Sequence, residues 1–176
     1  GPDGALWFTS LTNNRIGRIT TAGSITTFVN ATHVRGPLGI TTGPDGALWY
    51  ANSSNSSLGR VSTAGSFSSI LGVSGVTAVV AGPDGNLYIS CIFSNGIHSF
   101  DTVTSYPTGF FVTPGTGGLF FPKGLAFGPN GNLFVASAAT SHRGRRFTRA
   151  PAPSTRRSRW RGWRRSRPDR AIGASV

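Results

Sequence analysis

Few side chains in this sequence are ready proton carriers near neutral pH or strong ligands for a metal. They are three histidines (His33, His98 and His142), one cysteine (Cys91) and five aspartates (Asp3, Asp45, Asp84, Asp101 and Asp169), and glutamate is absent. Histidine is the natural general acid or base near neutral pH, and clustered carboxylates are the natural ligands of a hard cation. Asp3, Asp45 and Asp84 recur inside one short phrase, which invites a count of metal ligands, but the fourth copy of the phrase puts Asn130 there. Asparagine keeps a turn and abandons the charge, so a turn role is expected for all four positions. Cys91 is single, forms no intrachain disulfide and offers no metal cluster. It follows "NLYIS", which places it as a small buried or half-buried strand residue rather than a reactive thiol.

The elements that would position such residues are written in the repeat itself: "GPDGALWF" at 1, "GPDGALWY" at 43, "GPDGNLYI" at 82 and "GPNGNLFV" at 128. In each copy Pro presets φ, Asp or Asn accepts local backbone hydrogen bonds, and the second Gly supplies a positive φ, the chemistry of a tight hairpin. Leu6, Leu48, Leu87 and Leu133 follow in register, each with an aromatic next to it, namely Trp7, Trp49, Tyr88 and Phe134. Short apolar runs, "PLGITT", "GVTAVVA" and "PKGLAF", end directly on the later hairpins, and "IGRITTAGS" and "LGRVSTAGS" continue the first two copies as strand, turn and strand. One unit reads as four short antiparallel strands, and the spacings of 42, 39 and 46 residues suit one blade of a β-propeller. No window carries a helical apolar period, so almost no helix is expected.

The expected fold is all-β, an open arc of about three and a half four-stranded blades in residues 1–140. Residues 37–70 form a whole blade and 76 to about 111 a looser one; the first lacks its inner strand and the fourth loses its pattern after Ser137. The chain begins inside a repeat and reads as a partial one. No signal peptide and no apolar run of membrane-spanning length is visible, which leaves the compartment, cytoplasmic or secreted, open.

The formal charge of +12 is not spread over this arc. Residues 1–140 sum to +1, whereas 141–176 hold twelve arginines against Asp169 and sum to +11. That tail, with Trp160 and Trp163 and no lysine, has two readings. One is an arginine-rich arm that neutralises phosphates of a nucleic acid or sits at a membrane surface. The other is a reading-frame slip near Ser141, since Arg, Pro, Ala, Gly and Trp are residues of GC-rich codons; the slip is the expectation, and lack of a packed core follows either way. Nucleic acid is therefore a partner only if the tail is genuine.

"GPDGALWFTS…NRIGRITTAGSITTF" followed by "GPLGITTGPDGALWY" resembles the virginiamycin B lyase (streptogramin lyase) family of seven-bladed propellers. The match is good over 1 to about 66, looser over 82–100 and 122–137, and absent from the tail. For a full-length member the resemblance implies opening of a cyclic depsipeptide antibiotic at its ester by elimination. A base removes a Cα proton, the C–O bond breaks, a histidine protonates the departing oxygen, and Mg²⁺ stabilises the developing charge. The family places its His, with Glu two residues earlier, in an "E-P-H-G-I" stretch just ahead of a hairpin. Here "RGPLGI" puts Gly36 at the Glu position and Leu38 at the His position, and the later copies offer Thr77 or Ala78, and Lys123.

No catalytic residue, cofactor-binding residue or metal ligand is assigned on this basis, and Mg²⁺ is implied by the resemblance alone. His33, five residues before Leu38 on an inter-blade connection, is the weak catalytic candidate; an exposed loop histidine is the better account of it. His98 stands on a strand at the position of Gly17 and Gly59, where packing or an exposed face explains it. "PGTGG" at 114–118 lacks the Lys-Ser/Thr ending of a phosphate loop and reads as a plain loop, and Arg18 and Arg60 recur at one blade position as surface arginines. Two functions stand side by side: a partial lyase-like propeller, itself inactive, whose intact relative would be a lyase, and a non-enzymatic propeller repeat module that binds a protein or a carbohydrate; the expected partner at the propeller face is an unidentified small molecule or a protein.

Overall fold

A computed structural model describes residues 1–102, 104, 106–138 and 145–147. His142, Trp160, Trp163 and nearly all of the Arg-rich segment lie outside the described residues. Four antiparallel sheets follow one another along the chain. The first has β1 (Leu6–Ser10), β2 (Arg15–Ile19) and β3 (Ile25–Val29), and the second β4 (Pro37–Thr42), β5 (Leu48–Asn52), β6 (Ser57–Val61) and β7 (Phe67–Leu71). The third has β8 (Val76–Ala81), β9 (Asn86–Cys91), β10 (Gly96–Asp101) and β11 (Tyr106–Val112), and the fourth β12 (Pro122–Phe127), β13 (Leu133–Ser137) and β14 (Arg145–Phe147). One 3₁₀ turn, Thr116–Gly118, is the helix found among the described residues.

Each repeat phrase sits where the hairpin chemistry requires. Gly46 adopts φ +71° and its N–H reaches the Gly43 carbonyl, after which Gly43 N–H donates to Ala47 O at 2.8 Å. The same bonds recur at 82–86 and 128–132. A residue with a Cβ would be strained at that fourth position, so the phrase keeps its glycine. Among the described residues the first sheet has three strands, and its phrase stands directly before β1. The third sheet is looser, as the sequence suggests: β10 and β11 pair with register shifts at Ile97/His98 and Ser99/Phe100.

Alternation along the strands builds a core between each pair of blades. Trp7 and Ile16 of the first blade meet Leu48, Tyr50 and Val61 of the second. Trp49, Ala51 and Leu58, on the other face of the second blade, meet Val76, Leu87, Ile89 and Phe100. Tyr88, Ile97 and Val112 then meet Leu133 and Val135 of the fourth. Cys91 is buried on β9, as its flanking sequence implies, and burial pushes its thiol up to about 12.

Beyond residue 140 the backbone of β14 pairs with β13, with Arg146 opposite Phe134. In the first two blades that place is taken by Arg18 opposite Trp7 and Arg60 opposite Trp49.

Candidate functional site

The inner strands β4, β8 and β12 converge with β1 around an open groove of about 480 Å³. Residues 37–40, 77–79 and 123–125 line it, with Thr9 and Leu11 at one end. Close approach has a specific cause: a Cβ on Gly39 would stand 3.0 Å from the Ala78 Cα, so glycine lets β4 and β8 come together. Thr9 Oγ1 donates to Leu38 O at 2.5 Å, and Thr77 Oγ1 donates to Pro122 O at 3.0 Å. Both bonds cross from one blade to the next.

The residues aligned by the repeat with proton-transfer positions do meet at this groove. Leu38, Thr77, Ala78 and Lys123 all line it, while Gly36, at φ +61°, lies just outside among the Ser53 and Ser54 side chains. Leu38 and Ala78 have no ionisable atom, and Thr77 is held by Pro122 O and Ser90 Oγ. Lys123 is exposed and supplies the groove's charge; no carboxylate lines it. Among the described residues no group of three or more His, Cys, Asp or Glu is placed to hold a metal ion.

His33 goes elsewhere. It is half-buried rather than exposed, and its Nδ1 lies 2.8 Å from Ser69 Oγ on β7, the strand of that blade farthest from β4. Its carbonyl accepts Tyr50 Oη–H at 2.8 Å and Asn52 Nδ2–H at 2.6 Å, which pins the connection to β5. Tyr50 is fully buried and its phenol is pushed up by that burial. His98, on β10, rests against the Phe110 ring with centroids 4.2 Å apart, and burial lowers its pKa. Neither imidazole lines the groove.

The repeated aspartates do hold their turns: Ala5, Ala47 and Asn86 N–H each donate to the aspartate two residues earlier. They also do something the turn reading missed. Asp3 Oδ1 accepts from Trp7 Nε1 at 3.0 Å, and its Oδ2 accepts from Arg18 Nε at 2.5 Å. Asp45 repeats the arrangement with Trp49 at 2.9 Å and Arg60 at 2.7 Å, and Asp84 accepts from Tyr88 Oη–H at 2.7 Å. The Trp7 indole, then the Arg18 guanidinium, hold the Asp3 carboxyl well below the usual carboxylate range. Burial opposes ionisation of Asp45 and Asp84, yet donors outweigh it: Trp49 and Arg60 for the first, Tyr88 and Asn86 for the second. Arg18 and Arg60 are thus not free surface cations. A signal existed: aspartate, aromatic and arginine recur together at offsets of 4 and 15 residues in the first two copies.

Comparison with known proteins agrees with this geometry. The family model described as the virginiamycin B lyase family matches residues 1–150. Among solved structures, a streptogramin B lyase is 30% identical with a TM-score of 0.68, the match covering 78% of this chain and 46% of that one. A selenomethionine-substituted virginiamycin B lyase from Staphylococcus aureus is 26% identical with a TM-score of 0.69, covering 86% and 54%. A catalytically inactive virginiamycin B lyase from the same organism, with Quinupristin, is 27% identical with a TM-score of 0.68, covering 84% and 53%. The chain therefore spans about half the length of the structures it matches. No curated protein matches it.

Proposed function

Because the chain belongs to the virginiamycin B lyase family, we propose that it is a lyase-like propeller segment whose groove binds a small molecule and does not itself carry out elimination. The observation that carries this reading is the chemistry of the inner strands. Opening a depsipeptide ester by elimination needs one group to take a weakly acidic Cα proton and another to protonate the leaving oxygen. Each such group contributes about 10²- to 10⁴-fold in rate. At the positions where the family resemblance calls for them stand Gly36 and Leu38, and the equivalent groove residues are Thr77, Ala78 and Lys123.

Lys123 is no substitute base. Lys123 stands exposed on the groove wall, and no imidazole or carboxylate lines the groove to relay a proton to or from it. Mg²⁺ does not fit these residues. The threonine hydroxyls already donate to carbonyls and the groove's fixed charge is positive, whereas a hard cation requires oxygen donors and carboxylates. The same features favour the binding-module reading of the groove over a catalytic one.

The test is incubation of the purified chain with Quinupristin and Mg²⁺, followed by chromatography and mass measurement. Elimination gives an opened isomer of unchanged mass, whereas hydrolysis adds water. Unaltered antibiotic is expected, and His33→Ala should leave that result as it is. Turnover to the isobaric product, lost in His33→Ala, would reassign the proton transfer to His33.

A further inference from the structure

We propose that the groove is an anion site, in which Lys123 binds the carboxylate of an amphiphilic organic acid while the acid's apolar body lies against Leu38, Ile40 and Leu125. Lys123 is the chain's one lysine, and it stands exposed on β12 at the wall of the groove. Neither the Arg18–Asp3 nor the Arg60–Asp45 ion pair involves Lys123, and no carboxylate lines the groove beside it. A cation in a concave, partly apolar cleft concentrates anions there.

The other polar groups narrow the choice. Thr9 and Thr77 have committed their hydroxyl protons to the carbonyls of Leu38 and Pro122, which leaves the ammonium as the groove's charged donor. One ammonium between aliphatic walls suits a monocarboxylate better than a phosphate, whose several oxygens call for several donors. A volume of about 480 Å³ accommodates a ring-sized body. This rests on the reading of the groove as a small-molecule site and concerns ground-state binding alone: an elimination assay leaves it untouched, and its own failure leaves the absence of elimination untouched.

The experiment is an amide-shift titration of the full ¹⁵N-labelled chain at pH 7 with benzoate and with its uncharged analogue benzamide, read at Gly39, Ala78 and Gly124. Benzoate should move these amides and bind roughly 1.5- to five-fold more tightly than benzamide, the range of one solvent-exposed ion pair. Lys123→Gln should abolish the difference, Lys123→Arg should keep it, and Arg15→Gln, on the exposed first blade, should not alter it. MgCl₂ should leave the same amides in place. Equal affinities, shifts confined to other blades, an unaffected Lys123→Gln variant, or a response to Mg²⁺ at these amides would each overturn the proposal.

Discussion

Leu6, Trp7 and Phe8 of β1 and Leu48, Trp49 and Tyr50 of β5 occupy equivalent places in successive repeats, yet meet different surroundings. Leu48 is 2% exposed and Tyr50 is fully buried, whereas Leu6 is 67% and Phe8 36% exposed. The tryptophans are buried in both, because each faces the following blade. The residues on either side of them face the preceding blade, which the second blade has and the first, among the described residues, does not. β13 shows the reverse: Leu133 and Val135 pack on the third blade while Phe134 is 44% exposed. Burial in this fold is a property of the neighbour as much as of the residue.

The sharpest way to break that comparison is to truncate the twin leucines. Leu48→Ala should cost about 2 to 5 kcal/mol by leaving a cavity in a two-sided core, and Leu6→Ala should stay within about 0.5 kcal/mol, both read from urea midpoints. Equal losses would mean that something covers the first blade's open face.

Next come the glycines opposite the aromatic rings. A Cβ on Gly59 would stand 2.2 Å from the Tyr50 ring, and one on Gly17 would stand 2.1 Å from the Phe8 ring. The clash is alike, but Tyr50 is buried and tied by its hydroxyl to His33 O, whereas Phe8 has room to swing away. Gly59→Ala should therefore cost roughly 1 to 3 kcal/mol by overpacking, and Gly17→Ala clearly less, in the same assay.

A smaller effect separates the blades by acid. Asp3 and Asp45 have folded-state pKa values below their unfolded ones. Their stabilisation is present above the unfolded value of about 4 and is lost as pH falls below it. The double variant Asp3→Asn with Asp45→Asn should flatten the loss of stability between about pH 4 and 2, followed by tryptophan fluorescence. An unchanged acid limb would mean that Trp7–Asp3–Arg18 and its twin add nothing to stability. The smallest expected signal is at Cys91, 1% exposed, where alkylation should proceed only at the rate of local opening. Prompt labelling of the folded chain would contradict the burial of the middle blades.

Much of this fold was legible because the repeat encodes backbone geometry directly. Pro, Asp or Asn and Gly at fixed places specify a hairpin, and the apolar alternation after them specifies which faces need cover. The repeat aligned Leu38, Thr77 or Ala78, and Lys123 at one position, and the fold brings these inner-strand residues to one groove. The surroundings of His33 were not legible, because they depend on Ser69, 36 residues away on an outer strand. The double duty of Asp3 and Asp45 was written in the joint recurrence of Trp and Arg, but each residue type had a sufficient local explanation that hid the combination.

The central claim is that the groove holds no group able to take a proton from a bound depsipeptide, and deuterium exchange tests it more directly than product formation. Quinupristin incubated with the chain and Mg²⁺ in D₂O, then analysed by mass spectrometry with site localisation, reports Cα deprotonation even where the C–O bond does not break. The account predicts no deuterium at the ester-bearing residue's Cα beyond the protein-free control. Enzyme-dependent incorporation at that carbon would contradict it.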